Sequence, residues 1–360
     1  MNKNLIFLIP SINNSGGISR VVSSITDGLV GRYNYKIHLV GFNPGEISGY
    51  NWNLNIEYNT INNQKTSVSK GFLSSTMFLK KYIKDKDIDV LVACGSLMGP
   101  LGVFSTLFSK TKLIYWDHSN FFENTSHKFK IECKKFTSMF SDIVVALTKI
   151  DKVNYINNTK AKRVVQIYNP LDPHLFYDDN DYDSTSSLIV SVGRLTNQKD
   201  FETLVEVANI VKNSTNEFEW HIYGEGQNRS SIENKISSYS LSDKVILMGQ
   251  SANLYQIYNK YSMMVMTSKY EGFPMVLLEG LANKLPLISF DIETGPNEII
   301  EENINGFLIS DRNINQMADK IITLLKDKSK RLSFSSFQKS KFKDFNYENV
   351  LKKWDKLLKE

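Results

Sequence analysis

Short apolar runs alternate with amphipathic stretches along most of this chain. In the first half, Asn4–Ile9, Lys36–Phe42, Asn55–Tyr58, Val90–Ala93, Lys112–Trp116, Ile143–Leu147 and Arg163–Ile167 have the length and composition of strands. Between them, Ile18–Leu29 and Met77–Ile83 place apolar residues at the i, i+3, i+4 spacing of one helix face. Strands alternating with helices predict parallel sheets covered on both faces. The polar segment Asp178–Ser187 (DDNDYDSTSS) interrupts the pattern and reads as an interdomain linker. The alternation then resumes with strand candidates Leu188–Val192, Glu219–Tyr223, Lys244–Met248, Met263–Met266, Leu285–Phe290 and Phe307–Ile309. Helices such as Phe201–Lys212 and Met317–Leu325 separate them. A last stretch, Tyr347–Leu358, carries Val350, Leu351, Trp354, Leu357 and Leu358 on one stripe and needs a surface to cover. The expected architecture is therefore α/β: two doubly wound, Rossmann-like domains facing across a cleft, over residues 1–170 and 171–345. The terminal helix, 346–360, is expected to return to the first domain.

Composition narrows the class. The 360 residues are 41% hydrophobic and 22% charged, as in an ordinary globular protein, and each half is long enough for its own core. Cys94 and Cys133 form neither a disulfide framework nor a metal-ligand pair, which suits a reducing compartment. The apolar stretch Leu5–Ile9 is too short for a signal peptide, and no run approaches the ~20 apolar residues of a membrane span. A cytoplasmic location is expected, with a peripheral place on the inner face of the membrane as its extension. The net charge of +5 is unevenly distributed: residues 1–170 hold 21 Lys+Arg against 11 Asp+Glu, and residues 171–360 hold 22 against 27. A basic first half fits an anionic partner, and equally a merely soluble basic surface. It contains no nucleic-acid-binding motif, so no nucleic-acid partner is expected.

Three sites carry candidate chemistry. After the opening strand, Gly16-Gly17 sits at a strand-to-helix junction, where glycines serve a tight turn or the close approach of a ligand to free N–H groups. The spacing is not that of a dinucleotide fingerprint. The second site, Gly193-Arg194-Leu195-Thr196-Asn197-Gln198-Lys199-Asp200, puts a fork-shaped and a point cation in a loop before a helix. That suits a diphosphate, although two loop cations are also common on a solvated surface. The third, Glu271-Gly272-Phe273-Pro274-Met275-Val276-Leu277-Leu278-Glu279, spaces two glutamates eight apart around a turn and a helix start. Pro274 fits a first-turn position, and free N–H groups near Phe273–Val276 would point outward. Glu279 lies in an apolar stripe where an unpaired carboxylate is costly, while a surface Glu271 and a salt-bridged Glu279 are the plainer reading. The triplet Asp181-Tyr182-Asp183 falls in the linker, and no metal site is expected there.

These motifs together resemble the family-four glycosyltransferases of the GT-B fold. The resemblance rests on Gly193-Arg194-Leu195 with Gln198-Lys199-Asp200, then Tyr223-Gly224-Glu225-Gly226, Met248-Gly249, and Glu271-Gly272-Phe273-Pro274 with Glu279, in this order and spacing. In the first half it extends to Gly16-Gly17 and Trp116-Asp117-His118-Ser119-Asn120. It implies a retaining transfer from a nucleotide-diphosphate sugar without metal or other cofactor. Arg194 and Lys199 would hold the diphosphate, Glu279 the ribose, and Glu271 the transferred sugar. The N–H groups of Phe273, Met275 and Val276, together with Pro274 in the same turn, would line sugar and phosphate. Gly17 and Gly193 would admit the phosphates and Gly249 the base, while His118 would contact the donor sugar. The segment Asp291–Ile300 resembles members that build bacterial surface polysaccharides, mostly from UDP-linked hexoses or N-acetylhexosamines. Within that resemblance the alternatives are a GDP-mannose-dependent mannosyltransferase and a non-transferase enzyme such as a UDP-sugar epimerase.

The acceptor expected from the resemblance is a glycan or a polyprenyl-diphosphate-linked glycan. His127–Phe140 places Phe129, Cys133, Phe136 and Phe140 on one helical stripe, with Lys128, Lys130, Lys134 and Lys135 beside it. Such a helix can rest on anionic lipid, or can face a core with a solvated lysine side.

Overall fold

The computed structural model describes residues 3–12, 17–44, 52–122, 128–171, 182–251, 254–336 and 339–360. The chain divides into two compact units, residues 1–170 with 344–360, and residues 171–343. In the first unit, strands β1 (Asn4–Ser11), β2 (Lys36–Asn43), β3 (Glu57–Thr60), β4 (Val90–Cys94), β5 (Lys112–Trp116), β6 (Ile143–Ala146) and β7 (Val164–Gln166) form one parallel sheet in the order β3-β2-β1-β4-β5-β6-β7. Helices α1 (Gly17–Tyr33), α2 (Val68–Asp85), α3 (Met98–Thr106), α4 (Lys128–Phe140) and α5 (Lys149–Asn158) make the crossovers. The central strand reads Leu5-Ile6-Phe7-Leu8-Ile9 with every residue buried, because both sheet faces are covered.

The second unit repeats the plan. Strands β8 (Leu188–Val192), β9 (Glu219–Tyr223), β10 (Val245–Gly249), β11 (Met263–Met266), β12 (Leu287–Phe290) and β13 (Gly306–Ile309) lie in the order β10-β9-β8-β11-β12-β13, again parallel. The helices are α6 (Phe201–Lys212), α7 (Arg229–Ser238), α8 (Met275–Ala282), α9 (Pro296–Ile299), α10 (Ile314–Lys326) and α11 (Lys328–Ser335). Strand order reverses beside β1 in the first sheet and beside β8 in the second. At such switch points neighbouring crossovers part to opposite faces and leave a crevice at the strand C-termini.

The terminal helix α12 (Tyr347–Lys359) belongs to the first unit. Asn346 caps it by accepting from the Glu348 and Asn349 N–H groups. Its apolar stripe is buried, with Trp354 stacked 4.5 Å from Trp116 and 6.4 Å from Phe7. Gly28 on α1 makes this possible, since a Cβ there would stand 2.4 Å from Leu351 Cδ1.

Three sequence expectations shift. The helix read as Met77–Ile83 begins nine residues earlier, at Val68, because Ser, Thr and Gly between Ser69 and Thr76 dilute the apolar period. The third strand lies at Glu57–Thr60 rather than Asn55–Tyr58, since Asn53 folds back to accept from the Ile56 and Asn55 N–H groups. The polar linker is only partly one. Residues 172–181, including Asp181, lie outside the described residues, but from Tyr182 the chain is packed on the second unit. Tyr182 is buried and donates to Ser262 O at 2.6 Å, and Asp183 accepts from Thr185.

Replacing Trp354 with alanine should cost about 3–5 kcal/mol, the range for removing a large buried aromatic. Urea unfolding of the full chain measures it, and a loss under 1 kcal/mol would show α12 to be dispensable.

Candidate functional site

In the second unit the strand-end loops are joined by backbone hydrogen bonds. Gly193 N donates to Tyr223 O at 2.9 Å, Leu195 N to Glu225 O at 3.0 Å, and Gly224 N to Gly249 O at 2.8 Å. Glycine is required at Gly224, where φ is +144° and a Cβ would lie 1.9 Å from Gly193 O. Gly249 also has positive φ, +74°. The loop after β8 is thereby fixed against its neighbours before any side chain acts.

The same loop is tied to the one after β11. Lys269 N donates to Gln198 O at 2.8 Å, Gln198 Nε2 to Tyr270 O at 3.0 Å, and Thr267 Oγ1 to Lys199 O at 3.1 Å. Asp200, in the left-handed region at the head of α6, accepts from Arg312 at 2.8 Å, with Lys269 3.6 Å away. These bonds bring the second and third sequence sites together. Lys199 Nζ stands 2.6 Å from Glu271 Oε1, both side chains largely buried. Arg194 is exposed and makes no ion pair among the described residues. A Cβ on Gly193 would meet the Lys199 stem at 3.1 Å, so Gly193 leaves room for that side chain.

Glu271 is held from behind, its carbonyl accepting from Thr294 Oγ1 at 2.6 Å. Pro274 differs from expectation. It is the cap of α8 and not its first-turn residue, and its carbonyl accepts from Leu277 N and Leu278 N. Having no N–H itself, it leaves Met275 and Val276 as the donors at the head of the helix. Phe273 is buried against this turn, and Gly295, at φ +105°, would place a Cβ 2.4 Å from Pro274 Cδ. Glu279 is buried one turn further on and accepts from Tyr258 OH at 3.1 Å. A hydrogen-bonded interior carboxylate is the arrangement that its apolar stripe required.

In the first unit, Gly16 lies outside the described residues. Gly17 opens α1, and a Cβ there would meet nothing within 4 Å among the described residues. His118 follows β5 and packs at a tilt against Trp116, centroids 4.2 Å apart, with its Nε2 buried and without a hydrogen-bond partner among the described residues. Burial pushes its pKa down to about 4, against the opposing pull of Asp117, so the ring is neutral at pH 7.

Sequence reading missed the network behind this histidine. Asp117 accepts from Tyr155 OH at 2.6 Å and from Ser119 N and Oγ at 3.2 and 3.0 Å. Lys134 is fully buried against it, at 3.1 Å, which corrects the expectation that it belongs to an exposed basic face. The predicted stripe of α4 is also split: Cys133 is buried and Phe136 partly so, whereas Phe129 and Phe140 face outward. Asp151 takes Phe121 N at 2.8 Å and Thr148 Oγ1 at 3.1 Å. Burial is the main force lifting its carboxyl to about 7, with Asp117 adding and the two hydrogen bonds and Lys134 opposing. The spacing Thr148-x-x-Asp151, a capping box, was its only sequence signal.

Comparison with known proteins gives the chemistry its class. Residues 178–341 match the family model described as glycosyl transferases group 1. The match spans nearly all of the second unit. It is 29% identical to the amylovoran biosynthesis glycosyltransferase AmsD of Erwinia amylovora, over 98% of this chain and 99% of that one. It is 26% identical, over 98% of both chains, to a Campylobacter jejuni N-acetyl-D-galactosaminyltransferase whose name specifies an undecaprenol diphosphate-linked glycan. Among solved structures, Anabaena HepE with UDP and glucose superimposes with a TM-score of 0.85 at 16% identity, over 99% of both chains. TarM does so at 0.83 and 17%, over 100% of this chain and 99% of that one. The chain thus has the GT-B fold, and the relatives it resembles by sequence are glycosyltransferases.

Asp151 predicts a pH effect on folding. Its folded pKa of about 7 lies above the ordinary aspartate value of 3.8, so its stabilising contribution is complete below pH 3.8 and is lost as pH rises through 7. Relative to wild type, Asp151→Asn should gain stability progressively between pH 4 and 7 in denaturant titrations. A pH-independent difference would exclude the buried acid.

Proposed function

We propose that the transferase moves a hexose or N-acetylhexosamine from a UDP-sugar, with retention at the anomeric carbon and without a metal. The observation that carries this reading is the Lys199–Glu271 pair at 2.6 Å beside an unpaired Arg194 and the free N–H groups that open α8. Two cations and two helix-start donors lie on joined strand-end loops of one sheet, where they would meet the negative charge of a departing diphosphate. They supply the neutralisation that a metal provides in other sites. Glu271, holding Lys199 in place, keeps its second oxygen for a sugar hydroxyl, and Glu279 serves the ribose. Gly17 leaves open space for a phosphate, and the neutral His118 offers Nε2 to the transferred sugar.

In the transfer, the bond from the anomeric carbon to the β-phosphate oxygen breaks as the acceptor oxygen bonds on the same face. The acceptor proton passes to the departing phosphate oxygen. HepE and TarM, which share this fold, have been solved with UDP, which favours uridine over guanosine.

The acceptor reading extends to the membrane. Helices α2, α3 and α4 adjoin on one face of the first unit, linked by the ring contacts Phe72–Phe104, Phe104–Phe136 and Phe136–Phe140. Around this ladder Leu73 (72%), Met77 (64%), Phe108 (96%) and Phe129 (70%) are solvent-exposed. Phe108 helps to line a groove of about 580 Å³ together with Lys80, Lys84 and Lys110 and the carboxylates Asp87 and Asp89. Apolar side chains rimmed by lysines suit an anionic bilayer carrying a lipid-linked acceptor.

Two experiments test these assignments. UDP and one UDP-sugar should raise the melting temperature equally with and without EDTA, Arg194→Ala should abolish the shift, and Lys199→Ala should lower kcat about 10²–10³-fold. Stabilisation by GDP alone, or loss in EDTA, would reject the donor or the metal-free site. On vesicles containing phosphatidylglycerol, replacing Lys80 and Lys84 by alanine should weaken binding by about 2 kcal/mol, roughly thirtyfold. Equal binding to neutral vesicles would remove the membrane role.

A further inference from the structure

Lys134 is an expensive residue to bury, and its surroundings show what it holds. Its ammonium contacts Asp117 Oδ2 at 3.1 Å, Ser119 Oγ at 2.8 Å and the carbonyl of Asn120, so that all three N–H donors have acceptors. Asp117 precedes His118 in the chain, and Ser119 and Asn120 follow it. Asp117 also accepts from Ser119 N and Oγ, while Asp151 on α5 takes the next free N–H, that of Phe121. The chain is thus gripped on both sides of His118, yet His118 Nε2 itself is buried and unpaired.

We propose that Lys134 is a positioning residue for His118, clamping the loop from Asp117 to Phe121 and cancelling the Asp117 charge next to the imidazole. This rests on the reading that His118 meets the donor sugar. A neutral ring can both donate to and accept from a sugar hydroxyl, whereas an imidazolium only donates. The charged and titratable groups facing the loop are Asp117 and Tyr115 from its own strand end, Lys134 from α4, and Asp151 and Tyr155 from α5. Among these Lys134 is the one cation. Without it, Asp117 would stand as an uncompensated anion beside His118 and favour the imidazolium. A buried pair broken on one side also destabilises far more than a pair removed whole.

The test follows the His118 ring by NMR in the full-length chain labelled at histidine, with His118→Gln fixing the assignment. In Lys134→Met the His118 pKa should rise by at least one unit from about 4, and in Asp117→Asn it should fall. The double variant Asp117→Asn/Lys134→Met should return it to near the wild-type value and recover the melting temperature lost in Lys134→Met. Should Lys134→Met fail to fold, the Asp117→Asn and double variants still decide. Turnover of UDP-glucose and UDP-N-acetylglucosamine provides the second readout: Lys134→Met should lower kcat at least tenfold with little change in the UDP-induced thermal shift. Lys134→Arg should restore part of it. A His118 titration that is the same in all folded variants would overturn the proposal, whatever the donor proves to be. A shifted titration with unchanged turnover would overturn the catalytic side of it.

Discussion

Parallel pairing is the constraint from which the rest of this structure follows. Each strand must return by a crossover, usually a helix, so all C-termini of one sheet emerge on one edge and the loops after them gather there. In the second unit those loops are zipped by backbone bonds from Gly193 to Tyr223 and from Gly224 to Gly249, at positions where a side chain would collide. The geometry of the Lys199–Glu271 pair is inherited from that zipper. Two long side chains meet at 2.6 Å without searching for each other, because Gln198 and Thr267 have already joined their loops.

The order of β-strands and helices was legible because a buried parallel sheet writes continuous apolar runs, as in Leu5–Ile9 and Met263–Met266. The second-unit site was legible because its residues are consecutive: the cations lie in one loop and both glutamates lie around one turn. Legibility failed where burial depended on residues far apart. Lys134 lies beside Cys133 in a helix whose pattern marks lysines as solvated, and only Asp117, from another element, reverses that. Arg312 was equally invisible, although it braces Asp200 from 112 residues away and donates to Ser268 O from 44 residues away. The missed start of α2 has a local cause, a run of Ser, Thr and Gly that carries no period although it packs against Phe42 and Asn62.

Glycines separate packing from function more cleanly than charges do. A Cβ at Gly224, Gly226, Gly295 or Gly306 would strike another part of the chain within 2.4 Å, so the fold alone accounts for them. At Gly17, as at Gly31 within the same helix, it would strike nothing among the described residues. A glycine at a helix start loses more entropy on folding than alanine would, so an uncrowded one gains nothing from packing in return. Under the proposed function, close approach of a phosphate would give that reason, in keeping with the place of Gly17 at the switch point of its sheet.

The two units each oppose a lysine to a carboxylate, and the difference in burial gives the pairs different tasks. Lys134 and Asp117 are at 0% and 1% exposure with their remaining hydrogen-bonding capacity taken up by Ser119, Asn120 and Tyr155. Such a pair is saturated. It can hold a loop and fix a local potential, but it has no N–H to offer an incoming anion. Lys199 and Glu271, at 15% and 8%, sit at the strand-end surface with Lys199 bonded to one carboxylate oxygen. Desolvation there is incomplete, so the penalty for holding the pair is smaller and the ammonium keeps donors for a third group. A diphosphate arriving beside Arg194 would enlarge the cluster rather than break it. The carboxylate would remain to orient the lysine while the developing charge moved onto the phosphate.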